Sequence, residues 1–151
     1  MDLPDNILAL STSFNYTSYT LNKRKEYPKC MVAFSKALLN QKSAEEIMYH
    51  GLNGLYRGTE CLKNPELDFH ELNLPRRDGN AIDELLELYK EQIDNFSSLC
   101  RSFSREDLDK QVIAPHNGRE MKLKELIATT IWHTIHHLGQ AMIIHNILLN
   151  E

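Results

Sequence analysis

The feature that most constrains this chain is its last long helical stretch, residues 122–149, which is apolar on two faces and carries histidines on one of them. A helix turns about 100° per residue, so with His133 at zero, His137 lies roughly 40° away, Gln140 roughly 20° to the other side, and His136 roughly 60° on that side. Leu126, Ile144, Ile147 and Leu148 share this face, so the pattern predicts histidines pointing toward a core and away from solvent. Ile131, Ile135, Leu138, Met142 and Leu149 form a second apolar face. A helix apolar on both sides is buried on both. The outer stripe is therefore a candidate homodimer surface, unless the short segment 29–40 covers it.

Earlier segments supply partners for this helix. Residues 4–26 read as a helix with Ile7, Leu10, Phe14 and Leu21 on one face and Pro4 at its first turn. Pro28 breaks the run, and residues 29–40 read as a shorter helix or a bent extension. Ser43-Ala44-Glu45-Glu46 has the form of a capping box and opens a helix to about Leu62. Gly51, Gly54 and Gly58 lie in it, each costing about 1 kcal/mol relative to alanine, and close approach of a neighbouring backbone is the expected return. Residues 63–79, with Pro65, Pro75 and Asp78-Gly79, read as a structureless loop of the length that serves as a lid or partner contact. Residues 80–103 carry a clean stripe of Ile82, Leu85, Leu86, Tyr89, Ile93, Phe96, Leu99, Cys100 and Phe103. Residues 111–121 read as a small hairpin with a type I′ turn at Asn117-Gly118. His70 and His116 fall in the loop and beside the turn, where exposure is the expected state.

Four long helical segments without an internal repeat predict an all-α single domain over residues 1–151, a four-helix bundle with a long loop after helix two and a hairpin before the last helix. Bulk composition agrees: 25% charged and 42% hydrophobic residues are ordinary for a soluble globular domain. The net charge of −4 gives no nucleic-acid footprint, and the short basic runs Lys23-Arg24-Lys25 and Arg76-Arg77 read as solvated. No stretch of about 18 apolar residues predicts a membrane span. Met1 to Asp5 has neither the basic nor the apolar region of a signal peptide, and Cys30, Cys61 and Cys100 are an odd, unpaired set; both point to the cytoplasm.

Bundle cores are where metal sites are assembled from facing helices. His133 and His137, at i and i+4, can reach one ion, and His50 on the second helix is a third candidate ligand. A helical histidine pair also arises as a plain hydrogen-bonded core feature. Three protein ligands with an open position form the catalytic pattern. The open position suits a water whose pKa is lowered or a thiolate held deprotonated. Imidazoles suit Zn, Ni, Fe or Cu without discriminating among them. His136 sits at the rim, as an outer support or a substrate contact. Gln140 is placed to orient a ligand. Asn53 and Arg57, one and two turns beyond His50, are candidate supports, and Arg57 suits a substrate carboxylate. Nothing identifies a general acid or base.

The segment His133-Thr134-Ile135-His136-His137-Leu138-Gly139-Gln140 resembles the HxxHHxGQ motif of the DinB-like (DinB/YfiT) superfamily, with His50 where that family has its lone helix-two histidine. The resemblance implies a homodimeric four-helix bundle holding a divalent ion on His50, His133 and His137. It also implies thiol-dependent chemistry of the kind performed by bacillithiol S-transferases and mycothiol-dependent maleylpyruvate isomerase, with a small-molecule thiol and an electrophile as substrates. A metal-dependent hydrolase and a non-catalytic metal-binding or interaction protein are the alternatives. The chain departs from the pattern at Leu138, where the family often has Arg, at Phe14-Asn15-Tyr16, where it often has Trp, and over residues 28–42. Those departures bear on substrate and pocket shape.

Overall fold

The computed structural model describes residues 7–15, 44–75 and 82–149, with side chains over 7–15, 45–75 and 84–144. The rest of the 4–26 helix, the 29–40 segment, the cap residue Ser43, Cys30 and both basic runs lie outside the described residues. The elements are α1 (helical over residues 7–15), α2 (Ala44–Lys63), α3 (Ile82–Ser102), α4 (Arg105–Asp109), β1 (Gln111–Ile113), β2 (Glu120–Lys122) and α5 (Leu123–Leu149). The fold is all-α with one small hairpin, as the periodicity predicts.

Each helix is placed by its apolar face and its ends. In α3, Leu85, Leu86, Tyr89, Ile93, Phe96 and Cys100 are all buried, as their helical spacing demands. Ile7, Leu10 and Phe14 of α1 join the same core, and the Phe14 ring stacks on Tyr89 at 6.0 Å. The short α4 is held by a complete capping box between Ser104 and Asp107. Lys110, then the hydroxyl and amide of Ser104, keep the Asp107 carboxyl well below the usual carboxylate range. The Leu123 amide donates to the Lys110 carbonyl at 2.9 Å, and Glu125 accepts from the Lys122 amide at 2.9 Å. Helix α5 therefore starts at a point fixed by the hairpin and by α4.

The inner face of α5 is Leu123, Ile127, Ile131, Thr134, Leu138 and Ala141, all buried. Thr134 is accommodated because its hydroxyl donates to the Thr130 carbonyl at 2.9 Å. This corrects the expected dimer stripe: Ile131 and Leu138 belong to the chain's own core. Among the described side chains of α5 the exposed large apolar residues are instead Trp132, 49% exposed, and Ile143, 58% exposed; the side chains of Ile147, Leu148 and Leu149 lie outside those described. The histidine face is corrected too. His133 and His136 are exposed and His137 half-buried, because this flank of α5 borders α2 at an open cleft and the core lies on the next flank. Leu126 and Ile144, at either end of that flank, are buried.

The segment after α2 is not structureless. Over residues 64–75, backbone bonds from Leu67 to Asn64 and from Glu71 and Leu72 to Asp68 make successive turns, with Asn64 and Asp68 side chains accepting from Glu66 and His70 amides. Such Asx bonds explain how a run without hydrophobic period becomes ordered. Leu74 is buried. The hairpin pairs Ile113 with Glu120, so its connection is longer than the two-residue turn expected. Pro115 has no N–H for the ladder, and the tip closes instead by Gly118, at φ 70°, donating to the Ala114 carbonyl at 2.8 Å.

Candidate metal centre

Helices α2 and α5 run antiparallel at very close range. A Cβ built at Gly51 would lie 2.7 Å from His137 Cβ, one at Gly54 2.9 Å from His133 Cε1, and one at Gly58 2.9 Å from Thr130 Cγ2. The costly glycines of α2 are thus the positions that receive α5. Their absence of side chains lets the imidazoles of α5 reach across α2 to His50.

His50, His133 and His137 each offer one ring nitrogen, and these nitrogens all lie within 4.8 Å of one another. Ring centroids are 4.5 Å apart for His133–His137, 4.7 Å for His50–His137 and 5.6 Å for His50–His133. The His133 and His137 Nε2 atoms are 3.2 Å apart. Tetrahedral coordination at a metal–nitrogen distance near 2.1 Å separates ligand nitrogens by about 3.4 Å, so the spacing fits one ion with little movement.

The tautomer of His137 is set by Gln140, whose Oε1 accepts from Nδ1 at 2.9 Å. With the proton on Nδ1, Nε2 presents its lone pair to the cluster. His133 then either donates its own Nε2 proton to that lone pair or shares a cation with it. Both rings are disposed to be neutral. Desolvation, followed by the neighbouring His133, pulls His137 down to about 4, with Gln140 opposing. Desolvation and then His50, His136 and His116 lower His133. Neutral imidazole is the form that ligates.

His136 is exposed with its ring 5.2 Å from that of His137, outside the three-histidine cluster. Asn53 and Arg57 make their hydrogen bonds to the loop and not to the histidines. Asn53 Oδ1 accepts from the Leu74 amide at 2.8 Å; Arg57 donates Nε to the Leu72 carbonyl at 2.6 Å and Nη2 to Asn73 Oδ1 at 2.7 Å. Tyr49 adds a bond to the Leu74 carbonyl at 2.5 Å. These bonds lay the 64–75 segment along α2.

A cavity of about 200 Å³ opens beside the cluster, walled by His50, His133, Arg57, Phe69, His116 and Leu126 among others. Phe69 and His116 were not expected here. Their rings are 6.1 Å apart, brought together from the loop and the hairpin tip. Only a tertiary contact joins these two segments, so no periodicity announced them. Cys61 is not a fourth ligand: it is buried, its thiol donates to the Leu67 carbonyl at 3.7 Å, and burial followed by Asp68 and Glu60 pushes its pKa up. Cys100 is buried in the core and pushed up to about 12. Neither thiol has the character of a nucleophile.

Among the described residues no helix is long and apolar enough to cross a membrane. No curated protein and no solved structure matches the chain significantly. The family profile of the DinB superfamily matches residues 32–141, well over half of the sequence and inclusive of all three clustered histidines. With this match, the helical fold and the three-histidine cluster that fits a metal ion, the chain belongs to the DinB superfamily.

Proposed function

We propose that this protein is a divalent-metal-dependent enzyme, a thiol S-transferase that joins the sulfur of a low-molecular-weight thiol to an electrophilic carbon as a leaving group departs with its electron pair. The observation that carries this reading is the convergence of three imidazole nitrogens within 4.8 Å at the wall of an open cavity. A Zn, Ni or Fe ion there would hold a thiol as thiolate at neutral pH. His50, His133 and His137 supply the ligands, and Gln140 holds His137 in the ligating tautomer. Leu126 and Phe69 give the cavity an apolar wall. Among the described residues the cluster has no fourth His, Cys, Asp or Glu ligand, which favours an open position over a closed structural or storage site.

Elemental analysis of the purified protein beside a His133→Ala/His137→Ala variant tests the site. About one equivalent of metal, lost in the variant, is expected; absence from both after reconstitution with Zn, Ni and Fe would make the histidines structural. The loaded protein is then given a small thiol with an activated aryl chloride. Metal- and thiol-dependent thioether formation is expected, whereas turnover without thiol would assign a hydrolase.

A further inference from the structure

The cavity beside the histidines carries one fixed positive charge, Arg57, in a chain that is acidic overall. Among the described residues its ionisable lining is His50, Arg57, His116 and His133, with no Asp or Glu, while the chain carries a net charge of −4. Arg57 is the fixed charge of the set. Two of its five N–H donors serve the neutral oxygens of Leu72 and Asn73. It makes no ion pair among the described residues. Its guanidinium carbon lies 5.5 Å from the centre of the Phe69 ring, a stacking that holds the plane in place and leaves its charge unneutralised. Bonds to Leu72 and Asn73 on one side and the ring on another fix the fork before any ligand arrives, which lowers the entropy cost of using it.

We propose that this cavity is a subsite for a small organic carboxylate, whose anionic end is received by Arg57 and whose apolar body lies between Phe69 and Leu126. Arg57 stands seven residues beyond His50 on one helix face, about 10 Å along the axis. The carboxylate is therefore anchored at the far end of the cavity and the reacting end is directed to the histidines. At roughly 30 Å³ per water-sized group, the 200 Å³ space takes about seven such groups, the size of a benzoate-like acid. The inference deepens the enzyme reading by giving its substrate class, yet anion selectivity at Arg57 does not require a bound metal.

Benzoate and benzamide, alike in size and different in charge, are titrated by calorimetry into the full chain as purified and again after chelation. Benzoate is expected to bind at least fivefold more tightly than benzamide in both forms. Arg57→Gln is expected to bring the two within twofold, and Arg57→Lys, which keeps the cation, to retain a measurable preference. A wild-type ratio below fivefold overturns the proposal, as does a preference that survives Arg57→Gln or appears only when metal is present, since the metal would then be the anion's partner. Should Arg57→Gln fail to fold, the wild-type ratio after chelation and the Arg57→Lys ratio decide. A protein without metal would sink the enzyme reading and leave the chelated titration intact.

Discussion

The imidazole of His133 rests against the bare backbone of Gly54, where a Cβ would lie 2.9 Å from Cε1 and 3.0 Å from Nδ1. The obstructed atoms are the far end of a side chain, so the ring can turn away without moving either helix. Gly54→Ala is therefore expected to fold, gaining up to about 1 kcal/mol of helix propensity, and to lose metal affinity. A loss on the order of 10–100-fold, the range for disturbing a ligand's support, is the expected result of a competition titration with a chromophoric chelator. Unchanged affinity would mean that His133 is not a ligand.

Gly51 poses a different problem. Its absent Cβ would meet Tyr89 Oη at 2.5 Å and His137 Cβ at 2.7 Å, and the second of these is tied to the α5 backbone. Gly51→Ala must push the helices apart, at an overpacking cost of roughly 1–3 kcal/mol. Tyr89 Oη is buried without a hydrogen-bond partner among the described residues, so Tyr89→Phe should be neutral or stabilise by about 1 kcal/mol. Urea denaturation of both single variants and the double variant checks this. The double variant should recover part of the Gly51→Ala loss.

Gln140 accounts for the lone pair that His137 presents. Gln140→Leu leaves Nδ1 without its acceptor and should lower metal affinity about 10–100-fold, whereas Gln140→Glu keeps an acceptor and should retain most of it. Equal affinity in wild type and Gln140→Leu would remove this role.

Protons compete with metal for the same nitrogens. His133 is lowered and His137 stands at about 4, against an ordinary histidine value near 6.5. Metal affinity should therefore change little through pH 6.5 and fall as pH drops toward 4. The same depression has a sign for folding. The unfolded chain binds more protons than the native one between the two values, so the metal-free protein loses stability as pH falls through that window. Melting temperatures of chelated protein from pH 7.5 to 4.5 report it.

Trp132 and Ile143 stand outward on α5, about 20° apart on a helical wheel. A homodimer built on this corrected stripe is expected at micromolar concentration, and Trp132→Lys should yield monomer by light scattering. A monomeric wild type would reject the interface.

Much of this protein was legible without coordinates. The period of α3, from Leu85 through Cys100, made its helix and its buried face inevitable, because burial of an apolar stripe has one geometric solution on a helix. The spacing of His133, His137 and Gln140 on one flank follows from backbone geometry alone, and the motif they form carried the family. What the sequence could not decide was which apolar flank of α5 faced inward. Both flanks carry apolar residues, and only the tertiary packing buried Ile131 and Leu138 in the common core and turned the histidines to the cleft beside α2. The same holds for Asn53 and Arg57, whose partners lie 15 to 21 residues away in a loop. Phe69 and His116 meet only because that loop and the hairpin tip converge on α2. Local periodicity encodes which face of an element is apolar; where elements meet, and so which polar groups share a cavity, is decided by the mutual burial of all of them at once.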